Sequence, residues 1–171
     1  MHYTTICPSP LGDIIIAGTD SYLTGLWFKD QKYFMANCPE NAISLENNDS
    51  LPHALAESRR WLNIYFSGIN PDFTPPLKLN GTAFQLEVWE ILKNIPYATT
   101  ITYGEIASLL AKQRGISSMS AQAVGNAVGR NPISIIIPCH RVIGSNGTLT
   151  GYAGGIERKE ALLILESIKK V

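Results

Sequence analysis

The sequence predicts a mixed α/β protein of the α+β type, with a strand-rich part at residues 1–80 and a mainly helical part at residues 81–171. Short β-branched or aromatic runs separated by turn residues occupy the beginning of the chain. Apolar residues at helical spacing occupy most of the rest, and two of these runs follow a threonine that can cap a helix. Prolines between residues 71 and 76 indicate an extended linker, so we place the domain boundary near residue 80.

Three strands and one helix are predicted in the first part. The strands are separated by Pro, Gly and Asp turn signals and cover Tyr3–Cys7, residues 13–18 and Leu23–Phe28. A polar segment follows whose structure the pattern does not define. Apolar residues then recur near helical spacing, which predicts a helix over residues 51–67.

The second part begins with a predicted helix over residues 83–94, which Thr82 can cap, and ends with an apolar helix over residues 157–168. Between them lies a helix-turn-helix candidate. Thr102 can cap a helix over residues 103–112, with Glu105 completing a capping box. A polar loop leads to a helix over residues 120–128 that is rich in small side chains. This arrangement is typical of DNA-binding modules, and small residues also permit ordinary tight packing.

The composition is that of a globular chain. Its 171 residues allow one ordinary domain or two small ones, and 45% of them are hydrophobic while 16% are charged. The start shows no cationic leader followed by a long apolar region, and the longest aliphatic run, residues 135–137, is too short to cross a bilayer. We therefore expect a soluble, cytoplasmic protein with no membrane partner.

Cysteine usage favours a reducing compartment. Cys7, Cys38 and Cys139 are odd in number and have no CxxC spacing, which does not indicate a disulfide framework. Cys7 and Cys38 could join His2 or His53 around a metal, but their spacing matches no zinc motif. We predict small buried or indifferent thiols at these two positions, and neither a metal nor another cofactor.

The net charge is zero, but the charges are unevenly distributed. Residues 1–80 contain five Lys/Arg against eight Asp/Glu, and residues 81–171 contain nine against six. No acidic residue occurs in the 51 residues between Glu105 and Glu157. The cations of this window are Lys112, Arg114, Arg130 and Arg141. Such a stretch can lie beside phosphates without repulsion, although charge alone is equally compatible with a neutral Gly/Ser-rich surface.

Cys139 is the candidate nucleophile. It follows three isoleucines and a proline, which predicts a short buried strand at residues 135–137 that ends where the chain turns. His140 and Arg141 follow directly, and nearby cations can lower a cysteine pKa from about 8.5 into the range of about 3.5–7.5. Neighbouring residues on a strand point to opposite faces, so His140 can reach Cys139 only at a turn or through a bridging water.

Glu166 is a candidate partner for the histidine. It follows Leu162 and Leu163 by four and three residues, so it shares the apolar face of the last helix. A carboxylate rarely accepts burial without a partner, and carboxylate, imidazole and thiol give the order of a catalytic relay. The alternative is a glutamate at the helix edge that reaches solvent, which spacing alone slightly favours.

Asn131 is the remaining candidate of the active-site turn. Because it precedes Pro132, it is restricted to an extended shape. Its amide can tie this turn to the backbone of Pro138 and Cys139. An ordinary helix stop of the Asx-Pro type is the alternative, and composition does not separate the two.

Several motifs of the second part then occur in a recognisable order. They are Gly81-Thr-Ala-Phe-Gln85, Val88-Trp89, Ile101-Thr-Tyr-Gly104, Ala123-Val-Gly125, Asn131-Pro-Ile-Ser-Ile-Ile-Ile-Pro-Cys-His-Arg-Val-Ile-Gly144, Gly151-Tyr-Ala-Gly-Gly155 and the stretch 159–166. They cover nearly all of residues 81–171, and the Pro-Cys-His-Arg-Val core is highly specific. In these motifs the chain resembles the O6-alkylguanine-DNA alkyltransferases, or methylated-DNA–protein-cysteine methyltransferases. Residues 1–80 match in general character only.

The resemblance implies an RNase H-like sheet domain at residues 1–80 and a catalytic, DNA-binding domain with a winged helix-turn-helix at residues 81–171. It implies a DNA repair enzyme that binds double-stranded DNA containing alkylated bases and flips the damaged base into the protein, as access to a base inside a duplex demands. The alkyl group of O6-alkylguanine, and also of O4-alkylthymine, passes irreversibly to the protein's own cysteine in a single turnover. We expect a monomer.

The resemblance also implies roles for the candidate catalytic residues. Cys139 attacks the alkyl carbon, and His140 acts as base through a water. Glu166 orients His140, and Asn131 braces the active-site turn.

On the DNA side, the resemblance places Tyr103 by the flipped nucleotide and its phosphate. Val142 and the loop after it line the pocket. Tyr152 and Ala153 close it. Plain packing is the alternative for the tyrosines.

One position departs from the family pattern. Many relatives have an arginine just before Ala-Val-Gly that enters the duplex and fills the gap left by the flipped base, whereas this chain has Gln122. Glutamine can reach and hydrogen-bond, but it lacks the charge and the stacking plane of guanidinium. We expect flipping to persist with weaker DNA affinity, and Arg130 at the other end of the helix to supply part of the missing phosphate contact.

Three other functions are alternatives. A non-catalytic, lesion-recognising relative would carry a different residue at the position of Cys139. A DNA-binding transcription regulator would not need Cys139, His140 and Glu166 together. A cysteine hydrolase is disfavoured because its cysteine and histidine would be adjacent in sequence.

Overall fold

A four-stranded sheet forms the first part of the molecule, in a computed structural model that describes residues 1–47 and 49–168. Its strands are β1 (Tyr3–Cys7), β2 (Ile14–Gly18), β3 (Leu23–Phe28) and β4 (Ile43–Leu45). The order across the sheet is β3-β2-β1-β4, with β4 parallel to β1 and the other pairs antiparallel. The three longer strands agree with the predicted ones to within one residue.

Both faces of this sheet are covered, so β2 is buried along its whole length. Helix α1 (His53–Phe66) packs against one face through Leu55 and its neighbours. On the other face, Ile15 and Trp27 meet the segment that follows β3. Strand β4 lies in the polar segment that the sequence left undefined. It is a short, largely exposed edge strand, so it has no apolar alternation to reveal it.

Four α-helices make up most of the second part as far as it is described. They are α2 (Ala83–Lys93), α3 (Tyr103–Arg114), α4 (Ala121–Gly129) and α5 (Ile156–Ile168). Thr82 and Thr102 cap α2 and α3, and both make complete capping boxes. Helices α3 and α4 pack on each other across the loop 115–120, as the helix-turn-helix prediction requires. The mixed α/β fold class is therefore confirmed.

The edge of β3 that has no partner strand within the sheet holds the second part of the chain in place. Leu26 donates its N–H to the carbonyl of Pro132 at 2.9 Å and accepts a hydrogen bond from the N–H of Ser134 at 3.0 Å. Leu23 makes a comparable bridge to Leu77. One continuous apolar core contains side chains from both parts. The sheet thereby positions the segment that leads to Cys139.

The predicted strand at residues 135–137 is wrong. These residues form tight turns, and Ile135 has a φ of 70°, which is strained for a β-branched residue. A 3₁₀ turn over Cys139–Arg141 follows, and then β6 (Val142–Ile143), which pairs in parallel with β5 (Ile101–Thr102). All three isoleucines are buried. Their apolar character indicated burial, which does not distinguish a strand from a buried turn.

Helices that combine the length and apolar character needed to cross a membrane do not occur among the described residues. The same part of the chain brings no three metal-ligating side chains together. Cys7 is buried in the main core, and Cys38 covers the second face of the sheet. All three cysteines are free thiols.

Gly25 in β3 offers a test of the packing on the second face. The Trp27 ring lies across it, and an added methyl group would overlap that ring. Because Trp27 is only 2% exposed, we expect Gly25→Ala to lower the free energy of unfolding by about 1–3 kcal/mol, measured by urea denaturation. Gly129→Ala is the control, since its methyl would meet no atom within 4 Å. Equal unfolding midpoints for both variants would contradict this packing.

Candidate active site

A buried carboxylate on α5 collects the polar groups of the site. Glu166 is fully buried, and each of its oxygens accepts two hydrogen bonds. Oε2 accepts from His140 Nε2 at 2.5 Å and from the Tyr65 hydroxyl at 2.7 Å. Oε1 accepts from Arg141 Nε at 2.8 Å and from the backbone N–H of Ala98 at 3.0 Å. The structure thus selects the buried position for Glu166 over the solvent-exposed one.

Glu166 remains ionised in this environment. Burial raises its pKa, but the hydrogen bonds from His140 and Arg141, the charge of Arg141 and the charge that His140 gains in acid outweigh burial and bring the pKa to about 2. The Arg141 guanidinium also donates to the carbonyl of Ile95 at 2.7 Å. Arg141 alone therefore balances the carboxylate, and His140 need not be charged at rest.

His140 is neutral at rest because burial lowers its pKa, an effect that Glu166 offsets only in part. A carboxylate only accepts hydrogen bonds, so the hydrogen of the neutral ring lies on Nε2, facing Glu166. Nδ1 is buried and has no hydrogen-bond partner among the described residues. Its lone pair is free to accept a proton.

Cys139 begins the 3₁₀ turn and is 6% exposed. Burial raises the pKa of its thiol, and the nearby Asn131 amide and the charge of Lys159 offset this only in part. The expectation that Arg141 lowers this pKa is wrong, because the guanidinium of Arg141 is paired with Glu166. The thiol is therefore protonated at rest, and its activation requires a base.

Asn131 braces the turn that carries Cys139. Its Nδ2 donates to the carbonyls of Ile137 at 2.8 Å and Ile133 at 3.2 Å, and its Oδ1 accepts from the N–H of Ile133 at 3.0 Å. These contacts involve residues just before Pro138, whereas the sequence predicted contacts with the backbone of Pro138 and Cys139. The side chain replaces the strand ladder that residues 135–137 lack.

A cleft of about 1120 Å³ opens beside these residues. Its walls come from α4, from the beginnings of α2 and α3, from the loop 150–153, and from residues 32–33 of the first part. Among the predicted DNA-contacting residues, those that line it are Tyr103, Gln122, Arg130, Tyr152 and Ala153.

Val142 does not line the cleft, in contrast to the other predicted DNA-contacting residues. It is fully buried and pairs with Ile101 between β6 and β5. Cys139 is also absent from the cleft walls, and it belongs to the apolar core against which Tyr103 and Tyr152 pack. Burial first, and the charge of a Cys139 thiolate second, raise the pKa of both tyrosine hydroxyls.

Lys159 and Tyr65 belong to this site, but sequence reasoning gave neither of them a role. Lys159 is fully buried, and its Nζ and the Tyr103 hydroxyl both donate to the carbonyl of Thr150, at 2.9 and 3.1 Å. Burial lowers the pKa of Lys159 to about 8. It precedes Glu166 by seven residues, so helical spacing could have revealed it. Tyr65 lies in the other part of the chain, and no local pattern connects it to Glu166.

In the folded structure, residues 106–156, which contain no acidic residue, carry fewer unpaired positive charges than their sequence suggests. Arg114 forms an ion pair with Glu87, and Arg141 is buried with Glu166. Arg130 stays at the cleft, with its guanidinium 3.9 Å from the centre of the Tyr33 ring. Acidic residues from outside the window thus neutralise two of its four cations.

Acid titration tests the charge state of Glu166. Because folding lowers its pKa from the ordinary value of 4.5 to about 2, its contribution to stability is complete above pH 4.5 and is lost as the pH falls towards 2. Glu166→Gln should lower the free energy of unfolding by about 3–5 kcal/mol near neutral pH, since it leaves Arg141 unpaired in the interior. Urea unfolding of both proteins should show this gap closing in acid.

Glu87→Gln is the matched control for that titration, because its ion pair with Arg114 is exposed. It should change the free energy of unfolding by no more than about 1 kcal/mol. A wild-type advantage over Glu166→Gln that stays constant down to acid pH would show that Glu166 is not held as an anion.

Both parts of the chain match domains of one protein family. The ribonuclease-like domain of the 6-O-methylguanine DNA methyltransferases matches residues 1–79, and the DNA binding domain matches residues 83–168. A methylated-DNA–protein-cysteine methyltransferase of Mycobacterium tuberculosis is 46% identical over 166 residues, which is 97% of this chain and 92% of that protein. Another, from Methanosarcina acetivorans, is 43% identical over 96% of this chain and 97% of its own length.

Solved structures agree with the sequence matches. The crystal structure of the M. tuberculosis O6-methylguanine methyltransferase superposes with a TM-score of 0.81 at 43% identity, covering 99% of this chain and 94% of the other. A structure of the M. tuberculosis protein in complex with DNA gives a TM-score of 0.81 at 42% identity over 98% and 94%. The resemblance found in the sequence is thereby confirmed: the chain belongs to the 6-O-methylguanine DNA methyltransferase family.

Proposed function

We propose that this protein repairs DNA by transferring the alkyl group of O6-alkylguanine, and also of O4-alkylthymine, to Cys139 in a single turnover. One observation carries the proposal. A buried thiol that is protonated at rest is followed directly by an imidazole whose free Nδ1 can accept its proton. A general-purpose nucleophile would be expected to lie beside a partly exposed cation that lowers its pKa. Here the cation that acts on the thiol is the buried Lys159, and its charge does not offset the effect of burial.

The reaction is a displacement at the alkyl carbon. The Cys139 proton passes to His140 Nδ1 through a water, and the thiolate forms a bond to that carbon. The carbon–O6 bond breaks, and its electron pair leaves with guanine, which takes up a proton. Glu166 stabilises the imidazolium that forms, and Asn131 holds the turn in place. The product is a thioether, which is not easily reversed.

The cleft is the proposed site for double-stranded DNA carrying the alkylated base. The alkyl carbon must reach a thiol that is buried and does not line the cleft, so the damaged base has to leave the helical stack. Tyr103 would lie by the flipped nucleotide, and Tyr152 with Ala153 would close the pocket. Val142, which is buried and absent from the cleft walls, would support this pocket from within rather than line it.

We further propose a sheet domain at residues 1–80 and a catalytic domain at residues 81–171. A monomer suffices, because one chain carries the cleft together with the thiol. Reducing conditions of the kind found in the cytoplasm would keep Cys139 as a thiol.

Intact mass spectrometry tests the reaction. Incubation with excess oligonucleotide duplex containing O6-methylguanine should add one methyl group per protein molecule, on the peptide bearing Cys139. Cys139→Ala should abolish the transfer and keep the affinity for DNA, since the thiol does not line the cleft. Cys38→Ser is the control and should react fully. Continuous turnover, or an unmodified wild-type protein that still binds the lesion, would contradict the proposal.

Gln122 offers a test of the DNA interface. Gln122→Arg adds a cation at the cleft, so DNA affinity should rise several-fold and the slope of log K against log salt should steepen by roughly 0.9. Gln113→Arg adds the same charge at an exposed position of α3 outside the cleft walls. A fluorescence anisotropy titration with duplex DNA at several salt concentrations compares the two variants. Equal gains, or no gain for Gln122→Arg, would rule out a gap-filling role.

A further inference from the structure

Tyr65 brings a hydroxyl from the sheet domain into the catalytic centre. It belongs to α1 and lies 101 residues before Glu166, yet it donates to Glu166 Oε2 at 2.7 Å. The same oxygen accepts the hydrogen bond from His140 Nε2. The hydroxyl oxygen is also 3.4 Å from that nitrogen. Tyr65, Glu166 and His140 therefore meet at one carboxylate oxygen.

The Tyr65 side chain has little freedom to move. It is fully buried, and its ring stacks on Trp61 with the centroids 5.2 Å apart and the planes 10° apart. Phe66 and Tyr97 contact it edge-on, at 5.4 and 6.3 Å. Burial, reinforced by the charge of Glu166, raises the pKa of the Tyr65 hydroxyl, so it stays protonated. It acts as a permanent donor held by a rigid aromatic cluster.

We propose that Tyr65 is a positioning residue of the alkyl transfer, which fixes the Glu166 oxygen that orients His140 and so completes the proton relay from the sheet domain. This role rests on the proposed function. The other oxygen of Glu166 is held by Arg141 and by the backbone of Ala98. Without the Tyr65 hydroxyl, Oε2 would keep only the histidine that it has to orient.

The titratable and charged groups around Glu166 come from several elements. Tyr65 faces it from α1, Tyr97 from the turn after α2, His140 with Arg141 from the 3₁₀ turn, and Tyr152 from the loop 150–153. Lys159, on the same helix, acts on His140 at longer range and opposes its protonation. Two described groups donate to Oε2, namely His140 and the Tyr65 hydroxyl. His140 gains a proton in the proposed reaction, whereas the Tyr65 hydroxyl stays uncharged. Its removal changes the hydrogen bonding of the carboxylate but no formal charge.

Two consequences of removing the hydroxyl act in the same direction. A carboxylate with one donor fewer is less stabilised as an anion, so the pKa of Glu166 rises. Its oxygen also becomes a stronger acceptor for the imidazolium, so the pKa of His140 rises. Transfer needs an ionised Glu166 and a neutral His140, and protonation of either one stops it. The acidic limb of the pH–rate profile therefore moves to higher pH.

Tyr65→Phe is the test, because it keeps the ring packing and removes only the hydroxyl. Single-turnover transfer from a duplex containing O6-methylguanine is followed from about pH 5 to about pH 9. We expect the acidic limb to shift upward by roughly one pH unit, the scale of one hydrogen bond to a charged group. Tyr97→Phe is the matched control. It removes a buried hydroxyl of the same aromatic cluster that has no hydrogen-bond partner among the described residues, and its limb should coincide with that of the wild type.

A second variant covers the case in which Tyr65→Phe folds poorly. Site-specific replacement of Tyr65 by 3-fluorotyrosine keeps the hydroxyl and makes it a stronger donor, so the limb should move to lower pH. If the wild type is active and the acidic limb of the pH–rate profile does not move in the folded Tyr65 variants, the role of Tyr65 is overturned. Equal shifts of the limb in Tyr65→Phe and Tyr97→Phe would overturn it as well. Failure of the wild type to transfer a methyl group would instead refute the proposed function.

Discussion

Glu166 carries a full negative charge in the interior of the protein. Removing a carboxylate from water costs free energy, and the arrangement of donors around Glu166 compensates for that cost. An unpaired buried carboxylate would be protonated or would unfold the site. Four donors prevent this, and they come from three places: α1, the turn after α2, and two consecutive residues of the 3₁₀ turn. Three of them belong to the helical part and one, the Tyr65 hydroxyl, to the sheet domain, so the carboxylate joins the two. It links the stability of the fold to the orientation of His140.

The protonated thiol has a chemical consequence. A thiolate that existed at rest would react with any accessible electrophile, whereas burial keeps Cys139 as a thiol until a base takes its proton. Such restraint suits a protein that is consumed by one reaction. The base is preorganised, with Nε2 held by Glu166 and Nδ1 left free. Burial of the thiol, which is only 6% exposed, further restricts which electrophiles can reach it.

The β3 edge and Asn131 together solve a backbone problem. The segment from Asn131 to Cys139 is buried but contains no regular ladder, so its polar groups need other partners. Leu26 of β3 and the Asn131 amide supply several of them. This support allows Ile135 to keep a positive φ, and the chain turns sharply just before the nucleophile. The cleft proposed to bind DNA is built differently, from helix ends and loops, with Arg130 on Tyr33 as an exposed cation at its wall.

The sequence by itself determined the mixed fold class, the three main strands and the capped helices, because periodicity and capping residues are local signals. A specific short motif, also a local signal, made Cys139 and His140 the candidate nucleophile and base. The sequence left two possibilities for the Glu166 side chain, burial beside His140 or exposure at the helix edge. Only the packing of the folded chain decided for burial. Residues 135–137 show the limit of such signals, since apolar content reports burial and not backbone shape. Tyr65, the pairing of Arg141 and the position of Lys159 depend on contacts between distant segments. Tertiary structure alone decided these contacts, because hydrogen bonds to a buried charge form wherever the fold brings donors within reach, whatever their separation along the chain.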